Sequence, residues 1–164
     1  MDRQIRILLA DGNEEFCGRL KQTLEENENF TVVGMAADGE RACELLQTCR
    51  PDILALDLML PKADGIAVLK KARELERAPQ ALVMTGFMTE YVGTMAAELG
   101  VQYFMSKPCD CQAVADRIAE ITAGSERPRC AGMRPISRHW SRRSSTRSAS
   151  RRTSRAISTY ARPS

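Results

Sequence analysis

Residues 53–65, Ile-Leu-Ala-Leu-Asp-Leu-Met-Leu-Pro-Lys-Ala-Asp-Gly, decide how the rest of the chain is read. An apolar run of strand length ends on a single carboxylate, Asp57, and a proline and a glycine follow closely. A short run of this kind, apolar on both faces, suits a strand buried on both sides. The turn residues behind it bring the chain out of the sheet at the carboxylate.

Four further runs of the same kind flank it, at 5–10, 30–36, 81–85 and 102–106, and its own run spans 52–57. Between them lie segments with helical spacing: Phe16, Leu20 and Leu24; Ala42, Leu45, Leu46 and Cys49; Ile66, Leu69 and Ala72; Val92, Ala96 and Leu99; Val114, Ile118 and Ile121. Strict strand–helix alternation predicts an α/β fold, a doubly wound five-stranded parallel sheet with right-handed crossovers. Ligands of such sheets bind beyond the carboxyl ends of the strands, near the point where strand order reverses.

Composition narrows the function classes. The chain has 164 residues, 43% of them hydrophobic, enough for one core. No apolar run is long enough to cross a bilayer, and the N-terminus lacks a signal peptide's apolar segment, so the expected location is cytoplasmic. The six cysteines fit neither a disulfide framework nor usual zinc spacing and are expected as buried, reduced thiols. Residues 1–124 carry 13 Lys+Arg against 20 Asp+Glu, a net of −7. Residues 125–164 carry 11 Arg against one Glu, a net of +10, and are expected to form a separate, disordered Ser/Arg-rich tail.

The predicted strand ends gather chemistry. Asp11 closes the first strand, Asp57 the third and Thr85 the fourth, and Lys107 follows the fifth. Two adjacent carboxylates repel unless a cation sits between them, which suits a hard divalent ion such as Mg2+, with Ca2+ as the alternative. A lysine and a hydroxyl beside them suit the oxygens of a phosphoryl group, with Asp57 as nucleophile towards phosphorus.

The motifs LLADGNEEF (8–16), ALDLMLPKADG (55–65), VMTGF (83–87) and YFMSKPCD (103–110) together resemble the receiver domain of two-component response regulators over residues 1–124. The likeness is greatest to the stage-zero sporulation regulators of endospore formers, which join a receiver to a DNA-binding domain. The resemblance implies phosphorelay signalling in sporulation-type transcription control, with no turnover of an external substrate. Asp57 would accept phosphate from a phosphohistidine donor, a histidine kinase or phosphotransferase. Asp11, Asp57 and the main-chain carbonyl of Met59 would hold the metal. Thr85 and Lys107 would bind the phosphoryl group, Thr85 and Phe104 would switch on its arrival, and the Lys107–Pro108 bond would be cis. A receiver homodimer on phosphorylation is a further implied partner.

One departure stands out. The family has two adjacent acids after the first strand, where this chain has Asp11-Gly12. Metal binding is therefore expected to be weakened, with Asn13 or Glu14 as substitute ligands. A phosphate-independent interaction module is the alternative reading. The tail, read as protein, suits non-specific DNA binding through its arginines. It has no apolar face for a membrane surface. Read one nucleotide out of frame, the codons allowed from Trp140 onward yield Val-Thr-Glu-Ile-Ile-His-Glu-Ile-Gly-Val-Pro-Ala, and those of 153–164 yield His-Ile-Lys-Gly-Tyr-Gln-Tyr-Leu-Arg-Glu-Ala-Ile. That text resembles the start of the sporulation regulators' DNA-binding domain, so the tail reads as an out-of-frame remnant of it.

Overall fold

A computed structural model describes residues 3–124, which run through strand and helix five times. The elements are β1 (Ile5–Ala10), α1 (Glu14–Glu25), β2 (Phe30–Ala36), α2 (Gly39–Cys49), β3 (Ile53–Asp57), α3 (Gly65–Arg73), β4 (Gln80–Thr85), α4 (Glu90–Glu98), β5 (Val101–Ser106) and α5 (Cys111–Gly124). The strands form one parallel sheet in the order β2-β1-β3-β4-β5. The expected doubly wound sheet is the one observed. The tail, and with it the frameshift and DNA-arm readings, lies outside the described residues.

Alternation along each strand divides the core into two halves. Ile7, Leu9, Ile53, Ala55, Leu82 and Met84 face one way and pack with α1 and α5 through Leu20, Leu24, Val114 and Ile118. Leu8, Ala10, Leu54, Leu56 and Val83 face the other way and meet Ala42, Leu46, Val68, Leu69 and Ala96 of α2, α3 and α4. All five residues of β3 are buried, which is why its sequence shows no polar alternation. Truncating Leu54 or Leu56 to alanine would cost on the order of 2–5 kcal/mol.

Two details differ from expectation. In α4 only Ala96 is buried, while Val92 and Leu99 are half-buried, because α4 packs beside β5, the sheet edge, which has a strand on one side only. Of the five cysteines among the described residues, Cys17 alone is buried; Cys43, Cys49, Cys109 and Cys111 are half-buried, and all five are free thiols.

Four helices begin at the sheet's carboxyl edge with a capping side chain that accepts from an amide three residues on: Asn13 from Phe16 (3.0 Å), Asp38 from Arg41 (2.8 Å), Asp64 from Ala67 (2.8 Å) and Thr89 from Val92 (3.2 Å). Each satisfies an amide that the helix leaves unpaired and contributes about 1 kcal/mol. These caps also hold the loops that surround the site.

Candidate functional site

The sheet order reverses at β1, which has β2 on one side and β3 on the other. Asp11 is the first residue beyond β1 and Asp57 the last of β3, and both are buried. Thr85, also buried, ends β4, and Lys107 follows β5.

Lys107 ties the two acids together. Its Nζ donates to Asp57 Oδ2 at 2.6 Å and also to Asp11 Oδ2. The second oxygen of each carboxylate accepts a main-chain amide: Asp11 Oδ1 from Asn13 (2.8 Å) and Asp57 Oδ1 from Met59 (2.9 Å). Among the described residues no buried side-chain nitrogen or oxygen lacks a partner. Burial by itself would lower the Lys107 pKa. The hydrogen bonds and charges of Asp11 and Asp57 outweigh it and hold the ammonium above its ordinary 10.5.

The turn after Asp57 depends on close backbone approach. A Cβ on Gly65 would stand 2.6 Å from Leu58 Cα and 2.7 Å from Asp57 O, so only glycine lets α3 start against the strand end. The Gly65 amide donates to Leu58 O at 3.1 Å and closes the loop. Across the loop, the Gly39 amide donates to Pro61 O at 3.1 Å, and Lys62 Nζ meets Asp38 Oδ2 at 3.0 Å. The loop carrying Met59 is thus clasped to the start of α2.

The structure brings Asp11, Asp57 and Lys107 into direct contact. The Thr85 hydroxyl instead donates to Phe87 O at 3.0 Å and accepts from the Phe87 amide at 3.3 Å. Phe104 is half-buried against the α2–α3–α4 core. The Met59 side chain is exposed, and its main-chain amide is the group that reaches Asp57. Lys107–Pro108 is cis. The Asn13 carboxamide oxygen is engaged in capping α1, and Glu14 is exposed.

Sequence reasoning missed the Asp38–Lys62 clasp and the placement of Phe16, whose ring lies 5.5 Å from Lys107 Nζ. Asp38 carried a readable signal, since an acid before an amphipathic stretch marks a helix start. Phe16 carried none beyond its place in a core stripe.

The donor chemistry fits a hard divalent cation. Two carboxylates converge on one cationic position, and both offer the hard oxygen donors such an ion prefers. The set is sparse, since among the described residues no three acids, histidines or cysteines gather as a metal site. Gly12, next to Asp11, adds no side-chain donor to it. No described helix is long and apolar enough to cross a membrane.

The profile of the response regulator receiver domain matches residues 7–119. The receiver domain of AraT, a response regulator from Geobacillus stearothermophilus, is 31% identical, with a TM-score of 0.65 over 75% of this chain and 98% of that one. The response regulator domain of Thermotoga maritima CheB is 25% identical, with a TM-score of 0.66 over 77% and 100% of the two chains. The receiver domain of NarL from Mycobacterium tuberculosis shares the fold at 24% identity, with a TM-score of 0.68 over 74% and 98%. With its acids and lysine gathered at the carboxyl edge of this sheet, the chain belongs to the response regulator receiver domain family.

Proposed function

We propose that the chain is a phosphorelay receiver that takes a phosphoryl group on Asp57 from a phosphohistidine protein. The observation that carries this is the Lys107 ammonium held between Asp11 and Asp57 at the strand ends. A carboxylate oxygen of Asp57 attacks phosphorus, the P–N bond to the donor imidazole breaks, and its electron pair stays on the imidazole nitrogen. Asp11, Asp57 and the Met59 carbonyl would hold Mg2+, which when bound neutralises charge on the phosphoryl oxygens. Lys107 follows the new negative charge onto the acyl phosphate. Thr85, by turning its hydroxyl from Phe87 O to a phosphoryl oxygen, frees the loop before α4, and Phe104 repacks beside it.

Motif likeness supports a role in sporulation-type transcription control, and the arginines of residues 125–164 suit non-specific contact with DNA. A small-molecule phosphodonor with Mg2+ should add one phosphoryl group, read by intact mass. Labelling of Asp57→Asn as readily as the parent would overturn the assignment. Gly12 favours a second reading, a phosphate-independent interaction module; a parent chain that resists phosphorylation at saturating Mg2+ would select it.

A further inference from the structure

Lys107 has a third neighbour besides the two carboxylates. The Phe16 ring lies 5.5 Å, centroid to Nζ, from its ammonium, within the reach of a cation–π contact. Hydrogen bonds explain why the ring stands there. The Asn13 amide donates to Asp11 Oδ1 at 2.8 Å, and the Asn13 side chain accepts from the Phe16 amide at 3.0 Å. One residue therefore orients Asp11, starts α1 and fixes the ring in the first turn.

Phe16 differs from the rest of its helical stripe. Leu20 and Leu24 are completely buried, whereas Phe16 keeps an edge at the site end of the α1–α5 core. A leucine would fill core volume there, but only an aromatic ring presents a negative face to an ammonium. The Lys107 side chain is 24% exposed, so solvent is open to it as an alternative to the pocket.

We infer that Phe16 is a positioning residue for Lys107. Its ring holds the ammonium over the gap between Asp11 and Asp57, so the lysine is in place when a phosphoryl group arrives. The contact rests on the placement of Phe16 beside Lys107 alone; only its effect on rate rests on the proposed phosphoacceptor role of Asp57.

The test compares the full chain with Phe16→Leu, Phe16→Met and Phe16→Tyr. In metal-free protein, ring current should move the Lys107 Cε protons upfield in the parent and in Phe16→Tyr, and the shift should vanish in the leucine and methionine variants. With acetyl phosphate and Mg2+, loss of the ring should slow Asp57 phosphorylation about two- to fivefold, and tyrosine should restore it. Methionine keeps the inference testable if the leucine variant folds poorly. An unshifted Lys107 signal in the parent would overturn it, as would parental rates in both ring-less variants. A parent that shows the ring-current shift but takes no phosphoryl group would refute the receiver reading alone and leave the contact supported.

Discussion

Gly12 faces Pro61 across the mouth of the acidic site, and a Cβ on Gly12 would stand 3.8 Å from Pro61 Cδ and 3.8 Å from Ala37 O. That is ordinary van der Waals contact, and Gly12 does not have the positive φ that would exclude other residues. Gly12→Asp is therefore expected to fold. The added carboxylate should tighten Mg2+ by about ten- to hundredfold, equivalent to roughly 1–3 kcal/mol, and speed phosphorylation of Asp57. Without metal the same variant should melt lower than the parent, because a third acid joins Asp11 and Asp57. A Mg2+ titration identical to the parent's would mean that Asn13 or Glu14 already supplies the ligand.

Removing Lys107 leaves two buried acids without their cation. Lys107→Met should lower stability by on the order of 1–3 kcal/mol, below the cost at a fully buried pair because the lysine is partly exposed. Asp11→Asn in the same chain should recover part of the loss. Urea unfolding of the single and double variants checks this, and additive losses would show that Asp11 and Lys107 are not coupled.

Gly39 tests the clasp. A Cβ there would fall 1.8 Å from Ala63 O, a main-chain atom that moves only with the whole loop. Gly39→Ala should destabilise the fold by on the order of 1–3 kcal/mol and slow phosphorylation through the displaced Met59 loop. A parental melting temperature would place the loop further from α2 than the structure has it.

The same clasp makes the loop sensitive to acid. The Arg41 amide, followed by Lys62, holds the Asp38 carboxyl below its ordinary 3.8, and the Asp38 hydrogen bond raises Lys62 in turn. A depressed carboxyl binds fewer protons folded than unfolded. Its contribution is therefore present above the unfolded pKa and lost as pH falls through the folded value. Amide exchange at Gly39 and Ala63 should rise below about pH 4, and Asp38→Asn should remove that pH dependence while keeping the cap.

Cys17 offers a probe of unfolding. Burial first, and then the charge of Asp11, push its thiol up to about 11. Alkylation at neutral pH should be slow in the folded chain and rise with denaturant in step with the loss of far-UV signal. Fast alkylation of Cys17 in native buffer would contradict its burial on the inner face of α1.

The fold was legible because its signals are local. Five short apolar runs and five helical stripes, each readable in a window of a few residues, fix the order of elements and each buried face. Asp11, Asp57, Thr85 and Lys107 were legible as strand ends, since alternation and turn residues mark where a strand stops. Boundaries moved by a residue at most, as at Asp11, which lies just beyond β1 rather than within it. Which of these groups touch is a different matter. Lys107 lies 50 residues from Asp57 and 96 from Asp11, and its bonds to both exist only because β5 and the sheet switch point bring those ends together. The Thr85 hydroxyl turns to Phe87, Asn13 is taken by its helix cap, and Phe16 serves the site as well as the core. Periodicity decides which residues face inward. The pairing of side chains on that face is decided by packing and hydrogen-bond competition among strands far apart in sequence, so only the tertiary structure could settle it.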